Sequence, residues 1–412
     1  MFDRKVVVTG IGVLSPIGIG RDNYWEALFQ GKTGFKTIGM FDTSRFKVHI
    51  AGEIAEFDPI ALLGKKGLRS LDRSTLLLSS AAKLALDDSR LEVTDQNSHE
   101  IGVSVGTTFG SLHSISQFDR DGLIEGPRYV NPSHFPNTVI NSPASQVSIR
   151  LKIKGFNTTI STGFCAALDA VSYACDFIRL KRADTVLAGG VEELCEETFL
   201  GFHNLGYLSG IDGSAPICCP FDARRNGIIF SEGSAILILE DSEHAIDRGV
   251  EILAVVKGYA NAFDSAAKKD FSHQGKGLRN AIALALADAS LSPGDIDCLS
   301  ACANSTEGLD RFETRVIKEV FGERAATLPI TAIKSMIGES FSASGALSLA
   351  AAVGMLVKGV IPTTKNYEEK DPACDLDYVS QNARGKNIKN VLVLSSDPYG
   401  GNTAMVVGKY ER

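Results

Sequence analysis

One cysteine, set between a β-branched run and a helix of small residues, is the strongest chemical signal in this chain. Thr158-Thr159-Ile160-Ser161 reads as a strand, Thr162-Gly163-Phe164 as a tight turn, and Cys165 stands where the helix Ala166-Ala167-Leu168-Asp169-Ala170 begins. A thiol at that elbow faces unpaired backbone N–H groups and the positive end of the helix, which lower its pKa and favour the nucleophilic thiolate. The same N–H groups suit the oxyanion of a thioester undergoing acyl transfer. A lone cysteine is ordinarily a small buried hydrophobe; the elbow position sets Cys165 apart. The chain holds 8 cysteines without a C-x-x-C pair, so reduced thiols are expected rather than a disulfide scaffold.

The elements that must position this elbow alternate along the chain. Strands are expected at Lys5 to Thr9, Ile101 to Gly106, Thr158 to Ser161, Thr185 to Ala188, Ala235 to Glu240, Ile252 to Gly258, Pro329 to Ile333, Asn390 to Leu394 and Ala404 to Val407. Helices are expected at Arg21 to Gln30, Asp72 to Leu91, Ala166 to Leu180, Gly277 to Ala289, Glu307 to Phe321 and Ala343 to Lys358. This is the pattern of an α/β protein with strands buried on both faces. A soft seam near Ala245 to Glu251 gives two parts, residues 1–245 and 246–412. Each contains a strand, a Gly/Ser-rich turn and a small-residue helix, at Thr158 to Leu180 and at Ile330 to Lys358.

The 412 residues are 44% hydrophobic and 22% charged, which excludes fibrous and disordered classes and leaves a chain able to bury a large core. A net charge of −7 gives no general attraction for nucleic acid. The opening Met1-Phe2-Asp3-Arg4-Lys5 lacks the form of a signal peptide, and no apolar run is long enough to span a bilayer, so a cytoplasmic protein without membrane attachment is expected. Gly10-Ile11-Gly12 imitates a dinucleotide fingerprint without its third glycine; it is read as a core turn, and no cofactor is expected.

Several longer motifs occur in one order over almost the whole chain. They are Lys5-Val6-Val7-Val8-Thr9-Gly10-Ile11-Gly12, Phe135-Pro136-Asn137-Thr138, the elbow Ser161 to Cys165, Ala188-Gly189-Gly190-Val191-Glu192, Pro220-Phe221-Asp222 with Ser231-Glu232-Gly233, Lys334-Ser335-Met336 with Gly338, and Gly400-Gly401. In these the chain resembles the β-ketoacyl-acyl-carrier-protein synthases of the type II elongating class and the chain-length-factor subunits of type II polyketide synthases. The resemblance implies a thiolase-type fold: two similar halves, each a mixed five-stranded sheet layered between helices, usually dimerised.

Carried over residue by residue, the resemblance places the family nucleophile on Cys165 and its two active-site histidines on Cys302 and Glu339. All 7 histidines, His49, His99, His113, His134, His203, His244 and His273, lie outside both motifs. Lys334 and the acid Glu313 match. The gate aromatic falls on Tyr399 beside Gly400, with Asp397-Pro398 in place of the usual Phe-Gly. The backbone N–H groups of Cys165 and Tyr399 are the implied oxyanion hole. Phe109 aligns with the position that limits acyl length, and Phe164 adds bulk beside the nucleophile. Lys65, Lys66, Arg69 and Arg73 align with the docking region for an acyl carrier protein. Cys165, Cys302 and Glu339 would make three ligands for zinc if they converged, but no fourth is evident and no metal is assigned.

In the family two imidazoles hold the enolate oxygen that forms when malonyl-carrier loses carbon dioxide. A thiol is a weak donor and an ionised glutamate donates nothing. The expectation is therefore an acyltransferase of the 3-oxoacyl-synthase type that accepts an acyl chain on Cys165, with condensation impaired or altered, working as a homodimer. The alternative is a non-catalytic, chain-length-factor-like partner in a heterodimer with a synthase that carries Cys and both His.

Overall fold

The computed structural model of the chain describes residues 4–266, 271 and 275–411. His273, one of the histidines counted above, lies outside the described residues. Ten strands, numbered in chain order, build the main sheet: β1 Val6–Ser15, β2 Ile101–Gly106, β3 Asn157–Ile160, β4 Thr185–Glu192, β5 Gly233–Asp241, β6 Ala254–Phe263, β7 Cys298–Ser300, β8 Ile330–Thr331, β9 Asn390–Ser396 and β10 Gly401–Gly408. Their order is β3-β2-β4-β5-β1-β6-β10-β9-β7-β8, and the short strand Gly18–Ile19 folds back on β1.

Outward from the centre, β1-β5-β4-β2-β3 and β6-β10-β9-β7-β8 repeat one series of pairings: antiparallel, antiparallel, parallel, parallel. The two five-stranded halves expected of a thiolase-type fold are present. They join edge to edge where Val6–Val8 of β1 pairs with Ala254–Val256 of β6.

Gly10 and Gly12 lie inside β1, not in a turn as expected. A β-carbon on Gly12 would sit 1.9 Å from the Ala81 carbonyl oxygen, and one on Gly10 2.6 Å from that of Ala85. The glycines let the helix Arg73–Asp88 lie directly on the strand. Gly12→Ala forces the two apart, and a loss of about 1–3 kcal/mol is expected from overpacking, read as a lower urea midpoint at unchanged slope.

Two helices share one core with strands of both halves. The elbow helix Ala166–Arg179 contributes Leu168, Val171 and Ile178; Ser342–Lys358 contributes Leu347, Leu349 and Val353; β1, β5, β9 and β10 contribute Val8, Leu237, Val391 and Met405. Ser342 to Leu356 is buried on every face, which explains its run of alanines and glycines. Trp25 Nε1 donates to the Ala350 carbonyl at 2.9 Å, and its ring fills the space beside Gly354. Sequence reading missed the helices Leu112–Ile124, Ser142–Leu151 and Glu196–Asn204, which carry Gly122, Pro143 and Gly201 and have little or no buried face. Among the described residues no helix is long and apolar enough to cross a membrane.

Candidate active site

The elbow forms as the motif suggests. Gly163–Cys165 makes a single 3-10 turn and the α-helix follows from Ala166. Gly163 has φ 63°, and a β-carbon there would collide at 2.1 Å with Asp397 Oδ2, so glycine is required twice over. Cys165 is buried, and a β-carbon on Gly401 would lie 3.7 Å from its sulfur.

The thiol is not activated in the way its position at a helix start led us to expect. Burial pushes the Cys165 pKa well above the ordinary thiol value; the carboxylate of Asp169, the thiol of Cys302 and the carboxylate of Asp397 push it the same way, and a hydrogen bond with the Ser395 side chain only partly offsets them. The helix end carries fractional charge, whereas desolvation and neighbouring carboxylates act on the whole charge of a thiolate.

Cys302 and Glu339 meet around Lys334. The Lys334 ammonium lies 2.7 Å from Glu339 Oε2 and 3.5 Å from Cys302 Sγ, all three side chains being buried. Asn304 Nδ2 donates to the same Glu339 oxygen at 2.8 Å, while the Phe341 N–H and the Ser344 hydroxyl each donate to Oε1 at 2.9 Å. Both oxygens of Glu339 are thus engaged as acceptors by four donors. Cys302 Sγ also receives the Ser396 N–H at 3.2 Å. Burial pushes the Cys302 thiol up to about 11, with Lys334 pulling the other way. Burial opposes charge on Lys334, but Cys302 and Glu339 outweigh it and hold its pKa above the usual lysine value. The cation between the thiol and the carboxylate is the Lys334 ammonium group.

Ser395 and Ser396, consecutive at the end of β9, connect the two sulfurs: the first bonds Cys165 through its side chain, the second bonds Cys302 through its N–H. Behind Cys302, Glu313 accepts the N–H groups of Cys302 and Ala303 at 2.7 and 2.9 Å and anchors the segment after β7.

The gate loop departs furthest from expectation. The Tyr399 N–H, expected in the oxyanion hole, donates to Asp397 Oδ1 at 2.7 Å. The other oxygen, Oδ2, accepts the Phe164 N–H of the elbow at 3.0 Å. Tyr399 is 59% exposed and does not close the site. Gly400, at φ 112°, donates to the Asp397 carbonyl at 3.0 Å and accepts the Asp264 N–H at 2.8 Å. Sequence reading noticed Asp397-Pro398 only as a departure from the family; the carboxylate within bonding reach of the elbow was the missed signal.

Rings fill the space next to Cys165. Phe341, held at φ 46°, stacks on Phe202 at 4.5 Å and lies 4.9 Å from both Phe164 and Phe230 and 5.7 Å from Phe109, measured between ring centroids. A cavity of about 350 Å3 remains beside the elbow, lined by Thr108, Phe109, Phe164, Phe202, Asp397 and Tyr399. The expected docking residues divide. Lys65, Lys66 and Arg69 are exposed, whereas Arg73 is drawn into a two-pronged ion pair with the fully buried carboxylate of Glu232.

Burial raises three glutamates near these elements: Glu192 and Glu313 to about 7 and Glu193 to about 8. An unfolded glutamate titrates near ~4.3, so between these values the folded chain binds more protons than the unfolded one. Their contribution to stability is complete below the unfolded value and is lost as pH rises through about 7 to 8. Urea midpoints are expected to fall from pH 5 to pH 8; a rise over that interval would contradict these protonation states.

A mirrored pair of five-stranded half-sheets, with a cysteine elbow at the start of a helix packed in the core they share, defines a thiolase-type fold. The description "Beta-ketoacyl synthase, N-terminal domain" matches residues 3–245, and "Beta-ketoacyl synthase, C-terminal domain" matches residues 253–368. The chain belongs to the β-ketoacyl synthase family. It is 33% identical over 413 residues to 3-oxoacyl-[acyl-carrier-protein] synthase 2 of Coxiella burnetii, covering 99% of each chain. It is 36% identical over 417 residues to the tetracenomycin polyketide synthase ketoacyl synthase alpha subunit of Streptomyces glaucescens, covering 99% of this chain and 97% of that one. Among solved structures, "The ishigamide ketosynthase/chain length factor" superposes with a TM-score of 0.91 at 32% identity, over 99% of this chain and 100% of that one. A type II polyketide synthase acyl-carrier protein in complex with its ketosynthase bound to the hexaketide gives 0.90 at 31% identity, with the same coverage. The protein is ketosynthase-like and stands among the type II fatty-acid and polyketide synthases.

Proposed function

We propose that this chain is a non-condensing, chain-length-factor-like subunit that pairs with a ketosynthase carrying Cys and both His and serves chains held on an acyl carrier protein. The observation that carries this reading is the Cys302-Lys334-Glu339 network. Where relatives with both histidines would present two N–H donors to an enolate, this chain has a thiol that accepts from Lys334 and Ser396 and a carboxylate engaged by four donors. An unpaired sheet edge supports the pairing. Among the described residues β3 pairs only with β2; Ile149 is exposed on the helix packed against β3, and Leu123, Ile124 and Phe135 are exposed on the helix and turn that continue from it. Open edges and apolar patches of this kind are covered in stable proteins. The solved ketosynthase/chain length factor and the carrier-protein complex support the two kinds of partner. Exposed Lys65, Lys66 and Arg69 suit an acidic carrier protein. The same reading puts the chain in the cytoplasm and takes residues 1–245 and 246–412 as its two thiolase-like halves.

A second reading, acyl acceptance on Cys165, is favoured by one observation: the thiol is retained in an elbow whose Gly163 and Phe164 line a largely apolar cavity. Co-expression separates the two. A partner subunit is expected to aggregate alone and to co-purify 1:1 with a Cys-His-His ketosynthase. A stable homodimer whose intact mass gains an acyl group from acyl-carrier thioester, and no longer does so as Cys165→Ala, would overturn the partner reading.

A further inference from the structure

The N–H of Tyr399, which the family resemblance assigns to the oxyanion hole beside Cys165, is already taken by a carboxyl group of the chain; burial raises the pKa of that group, Asp397, and the N–H bonds from Phe164 and Tyr399 work against the rise. Asp397 is buried, and its two oxygens bond to two different segments: Oδ1 to the N–H of Tyr399 in the gate, Oδ2 to the N–H of Phe164 in the elbow, 233 residues away in sequence. The place where a β-carbon on Gly401 would sit is 3.5 Å from Asp397 Cβ and 3.7 Å from the Cys165 sulfur, so the carboxylate and the thiol share one wall. Gly163 leaves the space the carboxylate occupies. Pro398 has no N–H to compete for it, so the carboxylate reaches on to Tyr399.

We propose that Asp397 is a positioning residue that acts as a built-in latch, its carboxylate taking the backbone N–H that would receive an acyl-thioester oxygen and tying the gate to the elbow, so that Cys165 is kept from acylation. This deepens the partner reading and rests on it. It accounts for a thiol that is retained without being used: an acyl thioester approaching Cys165 finds the Tyr399 N–H engaged, and an anionic group meets a negative charge. Loading would require the Cys165 sulfur to bond to the thioester carbonyl carbon while the carbon–sulfur bond to the carrier breaks and the carrier thiol departs with the proton. The oxyanion formed on the way has lost one of its two donors.

The test is the reactivity of Cys165 toward iodoacetamide and iodoacetate, followed by peptide mass in the purified chain or, where it is obtained only with a ketosynthase, in that complex with the partner's own nucleophile changed to alanine. Asp397→Ala frees both N–H groups; Asp397→Asn keeps the size and removes the charge. Both are expected to speed alkylation at Cys165 by roughly tenfold, the effect of one pKa unit on the thiolate fraction. Both are also expected to raise the iodoacetate rate more than the iodoacetamide rate, a charge preference that loosened packing alone does not produce. Asp397→Ala is further expected to gain an S-acyl adduct from acyl-carrier thioester that is absent in the wild type and in the Cys165→Ala/Asp397→Ala double variant. Unchanged rates with an unchanged iodoacetate-to-iodoacetamide ratio in whichever variant folds would overturn the latch, and so would wild-type acylation as fast as that of Asp397→Ala. Those results concern Cys165 alone; the partner reading fails separately, on co-purification.

Discussion

The chain, purified alone or in complex with a ketosynthase whose two histidines are changed to alanine, and supplied with malonyl-carrier, is expected to release carbon dioxide roughly 10⁴–10⁶ times more slowly than a relative with Cys and both His. Each preorganised donor to a developing oxyanion is worth about 10²–10³ in rate, and here both imidazole positions have lost theirs. The replacements are not neutral substitutes. Cys302 Sγ is approached by Lys334 Nζ and the Ser396 N–H, and the hydrogen bonds of the Glu339 carboxylate are all of the accepting kind. A negatively charged malonyl group would also meet the carboxylates of Glu339 and Asp397. Cys302→His together with Glu339→His is expected to raise carbon dioxide release by about tenfold, below the ~10²–10⁴ of a fully positioned acid–base group. Recovery stays incomplete because Asn304, Ser344 and the Phe341 N–H are arranged to serve a carboxylate. Wild-type release at the rate of relatives with both His would show that the Lys334-Glu339 pair can itself support the enolate.

The second large effect is on stability. Lys334 and Glu339 form an ion pair at 2.7 Å with side chains 3% and 1% exposed. Removing one partner of such a pair leaves an uncompensated buried charge and costs about 3–5 kcal/mol. Lys334→Ala is expected to show that loss in urea unfolding. Replacing both members with apolar groups, Lys334→Met with Glu339→Leu, removes both charges and is expected to recover only part of it, because the donors of Asn304, Phe341 and Ser344 lose their acceptor. Lys334→Ala at wild-type stability would mean that the network does not organise the site.

Much of this was legible in the sequence, for identifiable reasons. The elbow was readable because a β-branched run, a glycine and a small-residue helix each have one local reading, and all three agree. Glu307–Phe321 and Ile101–Gly106 were placed to the residue because their periodicity is strong and their ends are marked. The ordered motifs led to the mirrored half-sheets, which no local signal supplies. What escaped depends on contacts between distant segments. The glycines of β1 resemble a turn until the helix above them is in place. Arg73 looks like a surface cation until Glu232, far along the chain, is found buried under it. The raised thiol of Cys165 cannot be inferred from a helix start, because it depends on Asp169, Cys302 and Asp397 closing around the sulfur. Asp397 was visible as an unusual residue, but its role required knowing that Phe164 and Tyr399 present their N–H groups to the same carboxylate.

The central claim, that this chain assists condensation without performing it, is tested most directly by reconstituting it with a Cys-His-His ketosynthase, acyl carrier protein and malonyl-carrier. Product length and rate are then compared for two nucleophile deletions, Cys165→Ala here and the corresponding change in the partner. The account predicts that Cys165→Ala leaves the rate of product formation within about twofold, whereas deletion in the partner abolishes it by the ~10⁶-fold scale of a lost nucleophile. Loss of product on Cys165→Ala, with the partner's nucleophile intact, would contradict it.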